Sequence, residues 1–99
     1  MQYSRWVIPH STIRKYRECV TEDNRREMHP HETISGIIRH ALSHITNVEH
    51  LPRLNDDYVA EVYFRGGIQS YFCILQQTDG QITVKDITHH IYSKRVHST

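Results

Sequence analysis

Two glycine-containing dipeptides divide the C-terminal half of this chain into three segments of strand length. Gly66-Gly67 and Asp79-Gly80 tolerate positive φ at both central positions of a two-residue turn, which is the geometry that joins neighbouring antiparallel strands. The segments around them are rich in aromatic and β-branched residues, as strands are. They comprise residues 58–65, 68–77 and 81–91. The sequence therefore predicts a three-stranded antiparallel meander.

The first half of the chain has the pattern of one short strand and two amphipathic helices. Residues 3–8 are largely aromatic and β-branched and stop at Pro9, which favours a strand. Between Thr12 and Val20, apolar residues recur three or four positions apart and predict the first helix. The second helix is predicted from Pro30 to about Asn47, because its apolar residues repeat with helical periodicity. These residues are Ile34, Ile37, Ile38, Ala41, Leu42 and Ile45.

The predicted order of elements is β-α-α-β-β-β, with a loop over residues 48–56 before the meander. This is an α+β fold in which two helices pack on one face of a mainly antiparallel sheet. With 99 residues in total, the chain is expected to form one domain over residues 1–99.

Charge and cysteine usage narrow the classes of protein. Twelve Lys and Arg against eleven Asp and Glu give a net charge of +1, which does not require a polyanionic partner. Cys19 and Cys73 are predicted to be small core residues and not a disulfide. The first residues lack the apolar core of a secretory leader, and no segment reaches the ~18 apolar residues of a membrane span. We therefore expect a soluble cytoplasmic protein that contacts no membrane.

Two-residue turns set the register of the meander and assign its side chains to two faces. The mostly apolar face is expected under the helices and continues through Asp86, Thr88 and His90. We call the other side of the sheet the open face, and its residues alternate between polar and apolar. An ordinary solvent-exposed face of an antiparallel sheet has the same alternation. One β-bulge would exchange the faces of His89 and His90. The open face is predicted to carry Val59, Glu61, Tyr63, Arg65, Ser70, Phe72, Ile74, Lys85, Ile87 and His89.

The end of the last strand combines side chains that can transfer protons and hold a phosphate. Ribonucleases that need no metal use a base for the 2′-hydroxyl, an acid for the leaving 5′-oxygen and cations for the phosphate. The candidate acids and bases are His89, His90, Glu61 and Tyr92. The candidate phosphate- and substrate-binding residues are Arg65, Lys85, Lys94, Arg95 and Tyr63. This chemistry requires no cofactor.

The order of elements and the segment Thr88-His89-His90-Ile91-Tyr92 resemble the RelE/YoeB/YafQ-like small ribonuclease toxins. The segment is similar to the Thr-His-x-x-Leu-Phe ending of the YafQ-like branch. The resemblance implies a toxin that cleaves messenger RNA, usually on the ribosome, and that an antitoxin protein holds inactive. It also implies that His89 is the catalytic histidine and that Arg65 corresponds loosely to a phosphate-binding arginine.

A non-enzymatic protein-binding module is the alternative, for example a phage- or plasmid-type inhibitor or regulator of a larger protein. The nearly neutral charge favours this class over nucleic-acid binding. Its contact surface would be the open face, where tyrosine suits an interface hot spot. A homodimer formed through a sheet edge or face would also suit so small a chain. The proposed contact residues are Tyr63, Phe72, Ile74, Ile87 and Tyr92.

A metal sensor is the third reading of the nine histidines. His40 and His44 are four residues apart and share one side of the second helix, and His29 and His31 form another pair. The zinc-protease pattern is absent, and catalytic zinc takes three protein ligands. We therefore predict no metal site.

Overall fold

The computed structural model describes residues 6–23, 31–64 and 69–89. The predicted α+β class and the predicted order of helices and strands are confirmed. A 3-10 turn over Val48–His50 and the two-residue strand β2 occupy the segment that we expected to be a loop. The elements are β1 (Trp6–Val7), α1 (His10–Asp23), α2 (His31–Leu42), β2 (Arg53–Leu54), β3 (Asp57–Tyr63), β4 (Ser70–Thr78) and β5 (Gln81–Thr88).

The five strands form one sheet in the order β1-β5-β4-β3-β2. β1 runs parallel to β5, and every other pair of neighbours is antiparallel. Thr78 pairs with Gln81 as predicted, across a turn in which Asp79 and Gly80 have φ of 43° and 83°. Tyr63 pairs with Ser70, which is the register that a two-residue turn at 66–67 implies. The predicted meander is therefore confirmed.

The helices bury their apolar sides against one face of the sheet. Ile34, Ile38 and Leu42 of α2 are fully buried, and Ile13 and Tyr16 of α1 are 2% exposed. They belong to one core cluster with side chains from the strands, as expected for a two-layer domain. No helix in the described ranges has both the length and the apolar character to cross a bilayer. The strands and Phe64, the residue after β3, contribute to this core. The strand residues are Ala60, Val62, Tyr71, Cys73, Leu75, Ile82, Val84 and Ile87.

The ends of both helices differ from the prediction. α1 begins at His10, because the Pro9 carbonyl accepts the N–H groups of Thr12 and Ile13 at 3.0 and 3.2 Å. α2 ends at Leu42 and not near Asn47. Asn47 instead caps the following 3-10 turn, since its side chain accepts the N–H of Glu49 at 3.0 Å. Local hydrogen-bond partners thus decide boundaries that apolar periodicity leaves open.

A β-bulge in β5 interrupts its alternation between the two faces. Val84 pairs with Leu75, and Asp86 pairs with Ile74. Leu75 and Ile74 are adjacent in β4, so Lys85 is one extra residue inserted in β5. After the bulge, Ile87 lies opposite Cys73 and is fully buried in the core.

The faces predicted for Ile87 and Thr88 are therefore wrong. Ile87 lies on the helix side and not on the open face, and Thr88 lies opposite Phe72 on the open face and not under the helices. Asp86 pairs with Ile74, and its Oδ1 lies 3.9 Å from Nζ of Lys15 on α1. The cause is the bulge, which shifts the period of two by one residue. His90 lies outside the described residues.

Helix α1 covers the outer edge of β5 where β1 ends. β1 pairs only with Ile82 and Thr83. Further along the edge, the buried Thr12 hydroxyl donates to the Val84 carbonyl, and the Cys19 thiol donates to the Ile87 carbonyl at 3.7 Å. Buried carbonyls need such partners, so α1 completes this side of the sheet.

Replacing Thr12 by valine should destabilise the fold through this contact. Thr12→Val keeps the shape but removes the donor to the Val84 carbonyl, which should cost about 1–3 kcal/mol. Thr12→Ser keeps the hydroxyl and loses one buried methyl, at a cost of about 1 kcal/mol. The free energy of unfolding in urea measures both. A valine variant as stable as the serine variant would contradict the role given to the hydroxyl.

Candidate functional site

The structure describes four of the predicted site residues, namely Glu61, Tyr63, Lys85 and His89. The other predicted site residues lie outside the described ranges. They are His90, Tyr92, Arg65, Lys94 and Arg95.

His89 lies on the helix side of the sheet, between α1 and the core. Its Nε2 is 3.2 Å from the carbonyl oxygen of Cys19, near the C-terminal end of α1. Its Nδ1 is 2.7 Å from Nε2 of Gln69. Its ring is tilted against that of Tyr71, a buried core residue, with the centroids 4.6 Å apart. The bulge at Lys85 places the ring here.

The partners of His89 determine which of its nitrogens carries the proton. A carbonyl oxygen only accepts, so Nε2 donates to Cys19, and the Gln69 amide then donates to Nδ1. Both ring nitrogens are hydrogen-bonded inside the protein. Proton transfer with a bound substrate would require one of these bonds to break. In the described geometry His89 ties β5 to α1.

Lys85 lies on the open face and pairs with a carboxylate across the sheet. Its Nζ is 2.9 Å from Oδ2 of Asp57, whose side chain is 16% exposed. The two residues are on β5 and β3, so the pair reaches over β4. Ile74 and Val59 are paired on this face and are 8% and 5% exposed. The Lys85 ammonium is therefore paired with Asp57 and lies on the same face as the buried Ile74–Val59 pair.

Glu61 and Tyr63 lie near the other end of the open face. Oε2 of Glu61 accepts the hydroxyl of Ser70 at 2.7 Å. Tyr63, opposite Ser70, is 55% exposed and is the exposed large hydrophobic residue of the described chain. Phe72 is half-buried beside Glu61 and Thr88. An aromatic patch with polar neighbours results, which we call the Tyr63 patch: Glu61, Tyr63, Ser70, Phe72 and Thr88.

The predicted catalytic set is divided by the sheet. Glu61, Tyr63 and Lys85 share the open face as expected, but His89 is on the opposite side. Glu61 and Lys85 are two strands apart, and Lys85 is three residues before Thr88, which lies across β4 from Glu61; their backbones are therefore roughly 13 Å apart. Among the described residues, the open face brings together the Glu61 carboxylate, the Tyr63 ring and the hydroxyl groups of Ser70 and Thr88. The His89 imidazole lies on the other side of the sheet.

A groove between α2 and the outer edge of β3 was not predicted from the sequence. It encloses about 450 Å³ and is open to solvent on one side. Its α2 residues are spaced three or four apart, so they form a second stripe beside the buried one. This spacing and the glycine within the helix were the available signals. The lining residues are Thr33, Gly36, Ile37, His40, Ala41 and Tyr63.

Thiol and metal chemistry find little support in the described residues. Burial, and secondarily the carboxylate of Asp86, raise the pKa of the Cys73 thiol to about 12, so it stays protonated at neutral pH. His40 and His44 are both exposed. Within the described ranges no three His, Cys, Asp or Glu side chains are grouped as metal ligands would be.

Comparisons with known proteins add no assignment. Neither protein-family models, nor curated proteins, nor solved structures gave a match to this chain. The site must therefore be interpreted from its own chemistry.

Replacing His89 by phenylalanine should reduce stability without disturbing the ring contact with Tyr71. The variant loses both hydrogen bonds, and we expect a loss of about 1–2 kcal/mol in the free energy of unfolding. The matched control is His44→Phe, because His44 is exposed and should change stability by less than about 0.5 kcal/mol. Denaturant titrations of both variants give the comparison. Equal effects would show that His89 is no more anchored than a surface histidine.

Proposed function

We propose that this chain is a non-enzymatic recognition module that binds another protein through the open face of its sheet. The observation that carries this proposal is the exposure of Tyr63, at 55%, at the end of β3. Tyrosine is enriched among residues that dominate binding energy, because it offers a large apolar ring and a hydroxyl. A cytoplasmic partner fits this reading.

Tyr63 and Phe72 are close enough to act as one apolar contact. Tyr63 is opposite Ser70, and Phe72 is opposite Glu61, so the two aromatic residues are diagonal neighbours on β3 and β4. Diagonal side chains are separated by about 7–8 Å at the backbone, which aromatic rings can span. At these positions β3 and β4 pair without interruption. The patch therefore requires little ordering when a partner binds.

Polar groups beside the aromatic pair suit the rim of an interface. The Glu61 carboxylate is held by the Ser70 hydroxyl, and the Lys85–Asp57 pair lies further along the same face. Apolar centres bordered by polar groups are common in protein interfaces. Two residues of the contact surface predicted from the sequence do not contribute, because Ile74 is 8% exposed and Ile87 is fully buried.

The electrostatics also favour a protein partner. The chain has a net charge of +1, whereas neutralised phosphates dominate affinity for nucleic acids. Lys85, the cation of the open face that the structure describes, is already paired with Asp57.

The recognition proposal predicts a site-specific partner. A photo-crosslinking amino acid at position 63 should capture one cellular protein, and the same residue at position 49 should not, since Glu49 is exposed on a distant 3-10 turn. The captured protein, once purified, should bind the intact chain. Tyr63→Ala should then raise the Kd roughly 30-fold, as for a residue contributing about 2 kcal/mol.

The matched control for binding is Gln76→Ala. Gln76 is exposed on β4 beyond the Ile74–Val59 pair, and its replacement should leave the Kd within about twofold. Equal affinities of the Tyr63 and Gln76 variants would refute the proposed surface.

A metal-independent endoribonuclease is the second candidate. Glu61, Tyr63 and Lys85 share one face, and the order of elements is the one that the RelE/YoeB/YafQ resemblance implies. The shared order supports a common fold, and one fold serves many activities. In this reading Glu61 is the base, and the partners are RNA, with the ribosome as its setting, and an antitoxin.

RNA cleavage in the presence of a chelator tests the second candidate. If Glu61 is the base, Glu61→Gln should lower the cleavage rate by at least about 100-fold, although glutamine still accepts from Ser70. Glu49→Gln is the matched control at an exposed carboxylate. Absence of cleavage by the intact chain, or full activity of Glu61→Gln, would remove this mechanism.

A further inference from the structure

The outer edge of β3 is only partly covered in the described structure. β2 pairs with Asp57 and Tyr58, and the N–H of Val59 donates to the Pro52 carbonyl at 2.9 Å. Successive residues of a strand direct their backbone groups to alternate sides. Since Val59 directs its N–H outward, Glu61 and Tyr63 do so as well. Among the described residues, no strand pairs with the edge at these two positions.

The two sides of the sheet are treated differently. At the β5 side, β1 and α1 cover the edge, with Thr12 and Cys19 donating to its carbonyls. At the β3 side, residues 60–63 contain no proline and no bulge, and Glu61 is their single charged residue. Proline, bulges and charged side chains are the common devices that keep an exposed edge from pairing. The edge is therefore suited to accept another strand.

The spacing of the open positions is self-complementary. If a second copy runs antiparallel with a two-fold axis at Val62, Glu61 of each copy lies opposite Tyr63 of the other. Both residues direct N–H and C=O groups outward, so this register forms a hydrogen-bonded pair at each position. It also places each carboxylate opposite a tyrosine ring and not opposite the other carboxylate, which would be unfavourable.

The groove on α2 lies beside the same edge. Gly36 is inside the helix, where glycine costs about 1 kcal/mol relative to alanine. A Cβ at this position would meet no atom within 4 Å, so packing within the chain does not require glycine there. Gly36 lines the groove together with Ala41 and Tyr63. With the two-fold axis at Val62, the α2 helices of the two copies would face each other through the small residues Gly36 and Ala41.

We propose that the chain forms a two-fold homodimer in which the β3 strands pair antiparallel around Val62 and the α2 grooves close on each other. The two sheets would become one continuous sheet of ten strands. An isologous contact of this kind is the commonest form of oligomer. The proposal goes beyond the recognition role, because pairing uses backbone groups of β3 and closes the α2 groove, which Tyr63 also lines.

Molecular mass in solution tests the dimer. Sedimentation of the intact chain should give twice the monomer mass of 11.8 kDa. Glu61→Pro removes one outward N–H on an edge where proline is otherwise tolerated, and it should shift the protein to monomer. Glu61→Ala keeps the N–H and should remain dimeric. Circular dichroism and urea unfolding verify that both variants are folded.

Disulfide trapping tests the register independently of the proline variant. In a Cys19→Ser background, a mixture of Glu61→Cys and Tyr63→Cys chains should form a mixed disulfide, because hydrogen-bonded partners have Cα atoms about 5.5 Å apart. Either variant alone should cross-link at least tenfold less, since its own cysteines are diagonal and about 7–8 Å apart. Cys73 is buried and does not compete.

The proposal fails if the intact chain is a monomer at about 1 mM. It also fails if Glu61→Pro stays dimeric, or if the mixture cross-links no better than the single variants. Binding of a protein partner at Tyr63 is measured separately, so either proposal can fail without the other.

Discussion

The single extra residue in β5 determines the arrangement of the C-terminal part of the described fold. Lys85 is inserted between Val84 and Asp86, which pair with two adjacent residues of β4. The alternation of β5 side chains between the two faces of the sheet therefore shifts by one residue at this point. Without the bulge, Ile87 would face solvent and Asp86 would face the core. Burying an isoleucine side chain contributes about 1.5–3 kcal/mol, and burying an unpaired carboxylate is costly. Both effects favour the bulged register.

The same displacement gives His89 its surroundings. The residue after Thr88 is directed toward α1, where the imidazole meets the Cys19 carbonyl, the Gln69 amide and the Tyr71 ring. With Thr12 and Cys19 donating to β5 carbonyls, these contacts bind α1 along the edge of the sheet. A histidine in such a position contributes to the structure first, and chemistry at its nitrogens would compete with that contribution.

The proposed binding surface is on the side of the sheet away from the helices. There the described residues offer an exposed tyrosine, a half-buried phenylalanine, a hydroxyl-bound carboxylate and a paired lysine. Such a surface is well suited to recognition, because aromatic side chains on strands lose little conformational freedom on binding. Pairing at the β3 edge would place two such surfaces side by side in one sheet. The dimer would thereby present a symmetric binding surface.

The sequence by itself determined the fold class, the turn at Asp79 and Gly80 and the main core. Turn geometry needs positive φ at Asp79 and Gly80, and the periodicity of Ile34, Ile38 and Leu42 needs a buried helix face. These are local requirements, so local patterns reveal them. The distribution of the candidate site over the two faces was decided by tertiary structure. Ile82, Val84 and Ile87 are spaced by two and then three residues, and only pairing with β4 and packing under α1 resolve that irregular spacing as a bulge. Edge coverage likewise depends on which distant elements lie beside a strand, and no local pattern in the strand encodes that.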